Sequence, residues 1–258
     1  MEHALFGTKH IILIILSLAL VAVGYFLARK LEFRKMTRLM LYIGIVSEAV
    51  KVFYYIVSNE EKMGGILPKN DLPFQLCSIQ IIFILILNLT NNGRIHRFLT
   101  SFMIPSCLIG GLAAMLIATH SSRNGMWIIT AQYFIYHAAI MIYALYLLTN
   151  KATRPTLGGY FDCLKLLLVL MFFAIYINSM MYDGTSDFNF MYVVKPPQSG
   201  LPYLNDNEGW LVYILRYGLL VVGSVTIFYV RPIFLAVKAK FKKAPECKSE
   251  EVKEEETV

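Results

Sequence analysis

Apolar runs alternate with polar connections along this chain. The runs cover residues 11–28, 39–57, 72–89, 98–119, 126–148, 164–181 and 210–230. Each approaches the roughly 20 residues that a helix needs to cross a bilayer. The pattern predicts an all-α polytopic membrane protein, a bundle of seven transmembrane helices over residues 1–237. The first run is expected to be a retained helix rather than a cleaved leader, because no small-residue cleavage site follows it and RKLEFRKMTR comes next. Pro105 predicts a kink in the fourth helix, and Gly110-Gly111 a point of close packing. The seventh is expected to end near 230 or to run past Pro232. The stretch from Lys243, KAPECKSEEVKEEETV, lacks apolar periodicity, so residues 238–258 are expected to form a disordered charged tail.

The third run has the shortest purely apolar portion, and charge supports counting it. Arg29, Lys30, Arg34, Lys35 and Arg38 fill the first connection, Arg94 and Arg97 the third, and Lys151 and Arg154 the fifth. Arg231, Lys238, Lys240, Lys242 and Lys243 follow the last run, while the alternate connections are poorer in Lys and Arg. Seven crossings put the two sets on opposite sides, whereas six would separate the basic first loop from the basic tail. The positive-inside rule then places the N-terminus outside and the C-terminus in the cytoplasm of a multi-pass cell-membrane protein. The outer connection 183–209 contains FNFMYVVKPPQSGLPYL and is expected to fold over the bundle mouth as a lid.

Composition agrees. The chain is 57% hydrophobic and 16% charged, against about 25% charged in soluble domains. Its net charge of +7 lies beside apolar runs, so it favours lipid headgroups rather than nucleic acid. The expected partners are membrane lipids. Cys77, Cys107, Cys163 and Cys247 form no CxxC pair, so neither a zinc site nor a disulfide framework is expected, and no cofactor is expected.

Polar residues at membrane depth are the candidate chemistry. Glu48 and Lys51 share one helical face, three residues apart, as a structural ion pair or as groups that orient a site. Asp71–Gln80, DLPFQLCSIQ, sets Gln75, Cys77 and Gln80 at the mouth of the third run. In the fifth, Tyr133 and His137 share a face. Counting about 1.5 Å per helical residue, His137 lies about 16 Å from the outer end and Cys77 about 9 Å below Asp71. Contact between them in the outer half of the bundle is therefore permitted. An imidazole within reach of a thiol can take its proton and release the attacking thiolate. Gln75, Gln80 or Tyr133 are candidate donors to a developing oxyanion. Arg216, beside Tyr213 and Tyr217, is a candidate for snorkelling to the interface or for gripping a lipid phosphate, and Trp210 for an interface anchor.

DLPFQLC, YFIYHAA and FNFMYVVKPPQSGLPYL together resemble the YwaF-type integral membrane proteins of bacteria, with Phe190 standing where that family usually has Tyr. The likeness covers roughly residues 39–229. It extends to a related eukaryotic branch of transmembrane phospholipid acyltransferases and, more distantly, to androgen-induced lipid hydrolases. The resemblance implies an acyl-enzyme on Cys77 with His137 as its partner, and it marks Asn189 and Lys195 in the outer-loop motif as orienting residues. Two readings follow. The first is an intramembrane lipid acyltransferase or acyl hydrolase with a Cys nucleophile and a His base. The second is a non-enzymatic seven-helix transporter or lipid or small-ligand sensor, in which Glu48, Lys51 and His137 form the polar site. A G-protein-coupled receptor is disfavoured, since no DRY-like or NPxxY-like motif stands where it would sit.

Overall fold

The computed structural model describes residues 7–57, 71–117, 127–150, 153–182, 189–197, 203–204 and 208–243. Among them are seven α-helices and no strand: α1 Thr8–Ala28, α2 Phe33–Val57, α3 Leu76–Leu89, α4 Gly93–Ile117, α5 Trp127–Thr149, α6 Leu157–Met181 and α7 Trp210–Lys243. A short 3-10 turn, Phe190–Tyr192, lies between α6 and α7. Six of these helices are long and apolar enough to cross a membrane, and α3 is a shorter apolar helix. The chain is thus a multi-pass helical membrane protein.

α5 is the central post, buried on most of its circumference, as expected of a helix that is apolar nearly all round. It packs against α1, α2 and α4. Glycine sets the α4–α5 spacing: a Cβ on Gly111 would lie 2.7 Å from Met141 Cγ and 3.3 Å from the His137 carbonyl oxygen. Of the expected glycine pair, Gly111 is the packing point, while Gly110 has only Leu76 near it, at 3.7 Å. α1, α6 and α7 turn large apolar side chains such as Leu27, Phe172 and Ile227 outward, as lipid-facing helices do.

Several elements end where local chemistry dictates. Thr156 caps α6 by accepting from the Gly159 N–H at 3.1 Å. Asn92 Oδ1 accepts from the Arg94 N–H at 2.9 Å at the start of α4. α4 passes through Pro105, whose missing N–H leaves the Ser101 carbonyl without its helical donor. Tyr229 of α7 donates its hydroxyl to that carbonyl at 2.6 Å instead.

Two boundaries differ from expectation. α3 begins at Leu76 rather than at residue 72, because the Leu72–Pro73 pair disfavours helix and Gln75 is extended, with ψ 150°. α7 runs through Pro232 to Lys243, so residues 238–243 are helical rather than part of a disordered tail; alanine and lysine there are good helix formers. The rest of that tail, from 244, and much of the lid connection lie outside the described residues.

α3 joins opposite ends of the bundle. At its start, Gln75 Oε1 accepts from the Met191 N–H at 3.0 Å, in the connection after α6. Beyond its end, Asn91 Oδ1 accepts from Arg34 at 2.6 Å, in the first turn of α2. Its 14 residues span about 21 Å, less than the roughly 30 Å hydrocarbon core, and its first turn lines a recess in the bundle.

Candidate functional site

The recess is built by Asp71–Gln75, a non-helical entry whose Phe74 N–H bonds the Leu72 carbonyl at 2.7 Å. Irregular backbone at this depth is tolerated where it lines a cavity, and Leu72 and Gln75 do so. The first intrahelical bond of α3 runs from the Ile79 N–H to Gln75 O at 3.1 Å. The Leu76, Cys77 and Ser78 N–H groups precede it, so helix geometry gives them no intrahelical acceptor. The Gln75 side chain does not cap them. Cys77 thus sits in the first turn of α3, at its positive dipole end. The estimate of its depth along a helix from Asp71 does not hold, because that stretch is a turn.

α5 supplies the opposing wall. Tyr136 donates its hydroxyl to the Cys77 carbonyl at 2.9 Å, pinning α5 to α3 at this level. The next residue, His137, is 3% exposed, and its Nδ1 lies 2.7 Å from the Tyr133 carbonyl oxygen. A carbonyl only accepts, so Nδ1 carries the proton and Nε2 is the basic nitrogen. The Tyr133 hydroxyl donates to Ala114 O at 2.8 Å. That bond fixes the ring over His137, with centroids 4.2 Å apart.

α2 supplies the charge. Glu48 Oε2 pairs with Lys51 Nζ at 2.7 Å, and Glu48 Oε1 accepts from Ser78 Oγ, beside Cys77, at 2.9 Å. Gln132 donates to Ser47 Oγ at 2.6 Å and locks α5 to α2 one residue from the pair.

Two cavities meet here. A polar one of about 50 Å³ is lined by Glu48, Lys51, Gln75, Cys77, Tyr133 and His137, among others. An apolar slot of about 290 Å³ is lined by Gln75, Cys77, Gln80, Tyr133 and His137, then by faces of α4, α6 and α7. On α4 its lining residues run from Phe102 through Ser106, Gly110 and Ala113 to Ile117, one helical face with small residues at its middle. That face is about 22 Å long.

The predicted residues therefore divide. Glu48, Lys51, Gln75, Gln80, Cys77, Tyr133 and His137 are brought together; Asn189, Lys195 and Arg216 line neither cavity. Asn189 braces its own loop, donating to Lys195 O at 2.7 Å and accepting from the Val194 N–H at 3.2 Å. Arg216 engages both carboxylate oxygens of Glu208, at 2.9 and 2.7 Å. Gln80 donates its amide to Ser106 Oγ at 3.0 Å and Tyr133 its hydroxyl to Ala114 O, so neither is aimed as an oxyanion donor. Asp71, Ser78, Gln132 and Tyr136 also line the polar cavity, and sequence reasoning missed them as site residues. For Gln132 and Tyr136 the signal was spacing, since they share one face of α5 with Tyr133 and His137.

The described part of the connection between α6 and α7 is a strap over the slot. Tyr217, Tyr213 and Trp210, on one face of α7, donate to three successive carbonyls: Met191 at 2.9 Å, Tyr192 at 2.5 Å and Val193 at 2.9 Å. Asn178 of α6 holds both sides of Phe190, donating to its carbonyl at 3.0 Å and accepting from its N–H at 2.8 Å. Met191 and Tyr192 have φ of 56° and 54°. This left-handed backbone is uncommon for such residues and is held here by the surrounding bonds. Met191, Tyr192 and Val193 line the slot.

Cys77, Cys107 and Cys163 are free thiols, and Cys107 and Cys163 are buried in helix packing. Among the described residues, no three His, Cys, Asp or Glu side chains are grouped to hold a metal ion.

In comparisons with known proteins, the TMEM164 family model matches residues 5–229. The finer likeness to bacterial YwaF-type proteins rests on the short motifs alone. No curated protein and no solved structure matches the chain.

Proposed function

This chain belongs to the TMEM164 family, and on that premise we propose that it is an intramembrane lipid acyl-transfer enzyme with Cys77 as nucleophile and His137 as base. The observation that carries this reading is that Cys77 and His137 line both the polar cavity and the apolar slot. A lipid ester at that junction has room for its acyl chain among α4, α6 and α7, with its carbonyl at the sulfur. His137 Nε2 takes the thiol proton, and the sulfur attacks the ester carbon. The oxyanion is met by first-turn N–H groups of α3, whose dipole favours developing negative charge. His137 then returns its proton to the leaving alcohol, and the acyl group remains on Cys77 as a thioester. A second nucleophile, a lysolipid hydroxyl or water, reverses these steps. Glu48, Lys51 and Ser78 hold the start of α3 in register with α2. The strap closes the outer mouth, and the basic connections face the cytoplasm.

Acyl-biotin exchange on protein purified from lipid tests this reading. The account expects an adduct that is lost in Cys77→Ser together with lipid turnover; turnover unchanged in Cys77→Ser would overturn it. The polar cavity favours the second reading, a non-enzymatic transporter or sensor with Glu48, Lys51 and His137 as the ligand site. That reading expects Cys77→Ala to retain uptake or ligand binding and Glu48→Gln to lose it.

A further inference from the structure

The apolar slot has an open side and a blind end, with Cys77 between them. The register of α3 on α4 places the sulfur. A Cβ on Gly110 would lie 3.7 Å from Leu76 Cδ2, and Gln80 donates to Ser106, so the two helices run antiparallel and Cys77 is level with Ile109 and Gly110. From there the α4 lining of the slot continues to Ile117 on the strap side and to Phe102 on the other. Gly110 to Phe102 is eight residues, about 12 Å of helix. On the strap side, Leu220 lines the slot yet is 45% exposed, so the slot reaches the lipid-facing side of α7 there. Gly218 lines the same part, and a Cβ on it would meet nothing within 4 Å.

The other end is closed. The last lining residues there on α4, α5 and α7 are Phe102, Ile140 and Val225, each 4% exposed or less. Phe102 is backed by Phe83, edge-on with centroids 5.9 Å apart. One turn beyond Val225, Tyr229 of α7 donates to Ser101 O of α4 at 2.6 Å. Its ring meets that of Tyr160 of α6, centroids 5.5 Å apart, and the Tyr160 hydroxyl bonds Thr226 of α7 at 3.0 Å. These contacts tie α4, α6 and α7 together just past the slot, and a stop packed in this way gives little ground. Resting on the Cys77–His137 reading above, we infer that Phe102 and Val225 set the length of the acyl chain that the site accepts. The chain enters from the bilayer past Leu220, its carbonyl stops at Cys77, and its methyl end lies against Phe102 and Val225. The substrate class is a lipid with a straight acyl chain no longer than this blind arm. A longer chain cannot seat its ester at the sulfur, and each excess methylene costs about tenfold or more in rate, as in any closed apolar pocket. Both are specificity residues and touch no reacting atom.

The test uses the full-length protein in vesicles of ether-linked phosphatidylcholine, which has no ester to give. The vesicles carry equal amounts of ester phosphatidylcholines whose saturated chains form a series in steps of two carbons. The acyl mass on the Cys77 peptide is read for each length. Wild-type adducts are expected to fall about tenfold or more per step beyond a limit. Phe102→Leu and Val225→Ala are expected to move that limit to longer chains, and Val225→Leu to shorter ones. Loss of packing alone would lower every length alike and leave the limit in place. Wild-type adducts with no limit, a limit unmoved in all three variants, or one that moves only in Gly218→Leu at the open side, would overturn the inference. A second arm needs no thiol. In Cys77→Ser, phosphatidylcholines of the same series with a diazirine at the chain end are expected to cross-link to the peptides holding Phe102 and Val225, up to the same limit. Cross-links confined to lipid-facing helices would overturn the inference. Cross-links at Phe102 and Val225 with no wild-type adduct on Cys77 at any length would instead sink the acyl-enzyme reading and leave the chain site standing.

Discussion

Glu48 uses both carboxylate oxygens, one on Lys51 and one on Ser78. The pair therefore works as a clamp between α2 and the first turn of α3. The side chains are 22% and 12% exposed, so removing one partner leaves the other charge largely dehydrated. Glu48→Gln should lower stability by about 2 kcal/mol, less than the cost of a fully buried pair. Glu48→Gln combined with Lys51→Met should recover most of that loss, as read by thermal unfolding in detergent. If the pair only orients the site, the double variant still acylates Cys77; a folded double variant that cannot would point to a direct part in binding. At this scale the sequence was informative where residue type and spacing act together. Glu48 with Lys51, and Cys77 with His137, stood out as polar groups in lipid. Arg216 and Asn189 did not reveal their roles, since each is satisfied by a group in the connection between α6 and α7 that no local pattern announces.

Among the elements, α4 and α7 are linked by a consequence of Pro105. The proline removes the donor for the Ser101 carbonyl, and Tyr229, fully buried, replaces it from the neighbouring helix. Tyr229→Phe should cost about 1–3 kcal/mol, because the carbonyl is left buried and unpaired. In a Pro105→Ala background the alanine N–H can close the helical bond, so the same substitution should cost much less. A double-mutant cycle on unfolding reads the difference, and equal costs in both backgrounds would contradict the assignment. Pro105 was legible as a break in the ladder, but its partner 124 residues away was not. α3 teaches the converse. Its hydropathy continues smoothly from Leu72, yet Pro73 and the extended Gln75 delay the helix to Leu76, and that delay creates the recess in which Cys77 sits.

For the molecule as a whole, hydropathy and charge sufficed to read seven helices, because both are imposed by the bilayer. They did not reveal which faces meet. That α5 is the buried post and α7 a peripheral wall follows from packing, with Gly111 and the tyrosines of α7 as the main cues. By the positive-inside rule the basic connections predict an N-terminus outside and a C-terminus inside; a protease-sensitive tag on sealed vesicles should be cleaved only at the N-terminus from outside, and cleavage at both ends would contradict that orientation.

The central claim is that His137 activates the Cys77 sulfur inside one cavity. Its most direct test is the rate at which the Cys77 peptide gains acyl mass when purified protein is mixed with vesicles of an isotope-labelled phospholipid. The account predicts a single adduct, on Cys77 and not on Cys107 or Cys163, that forms about 100-fold or more slowly in His137→Gln, the usual contribution of a positioned base. An adduct that forms equally fast without the imidazole, or that maps to another cysteine, would contradict it.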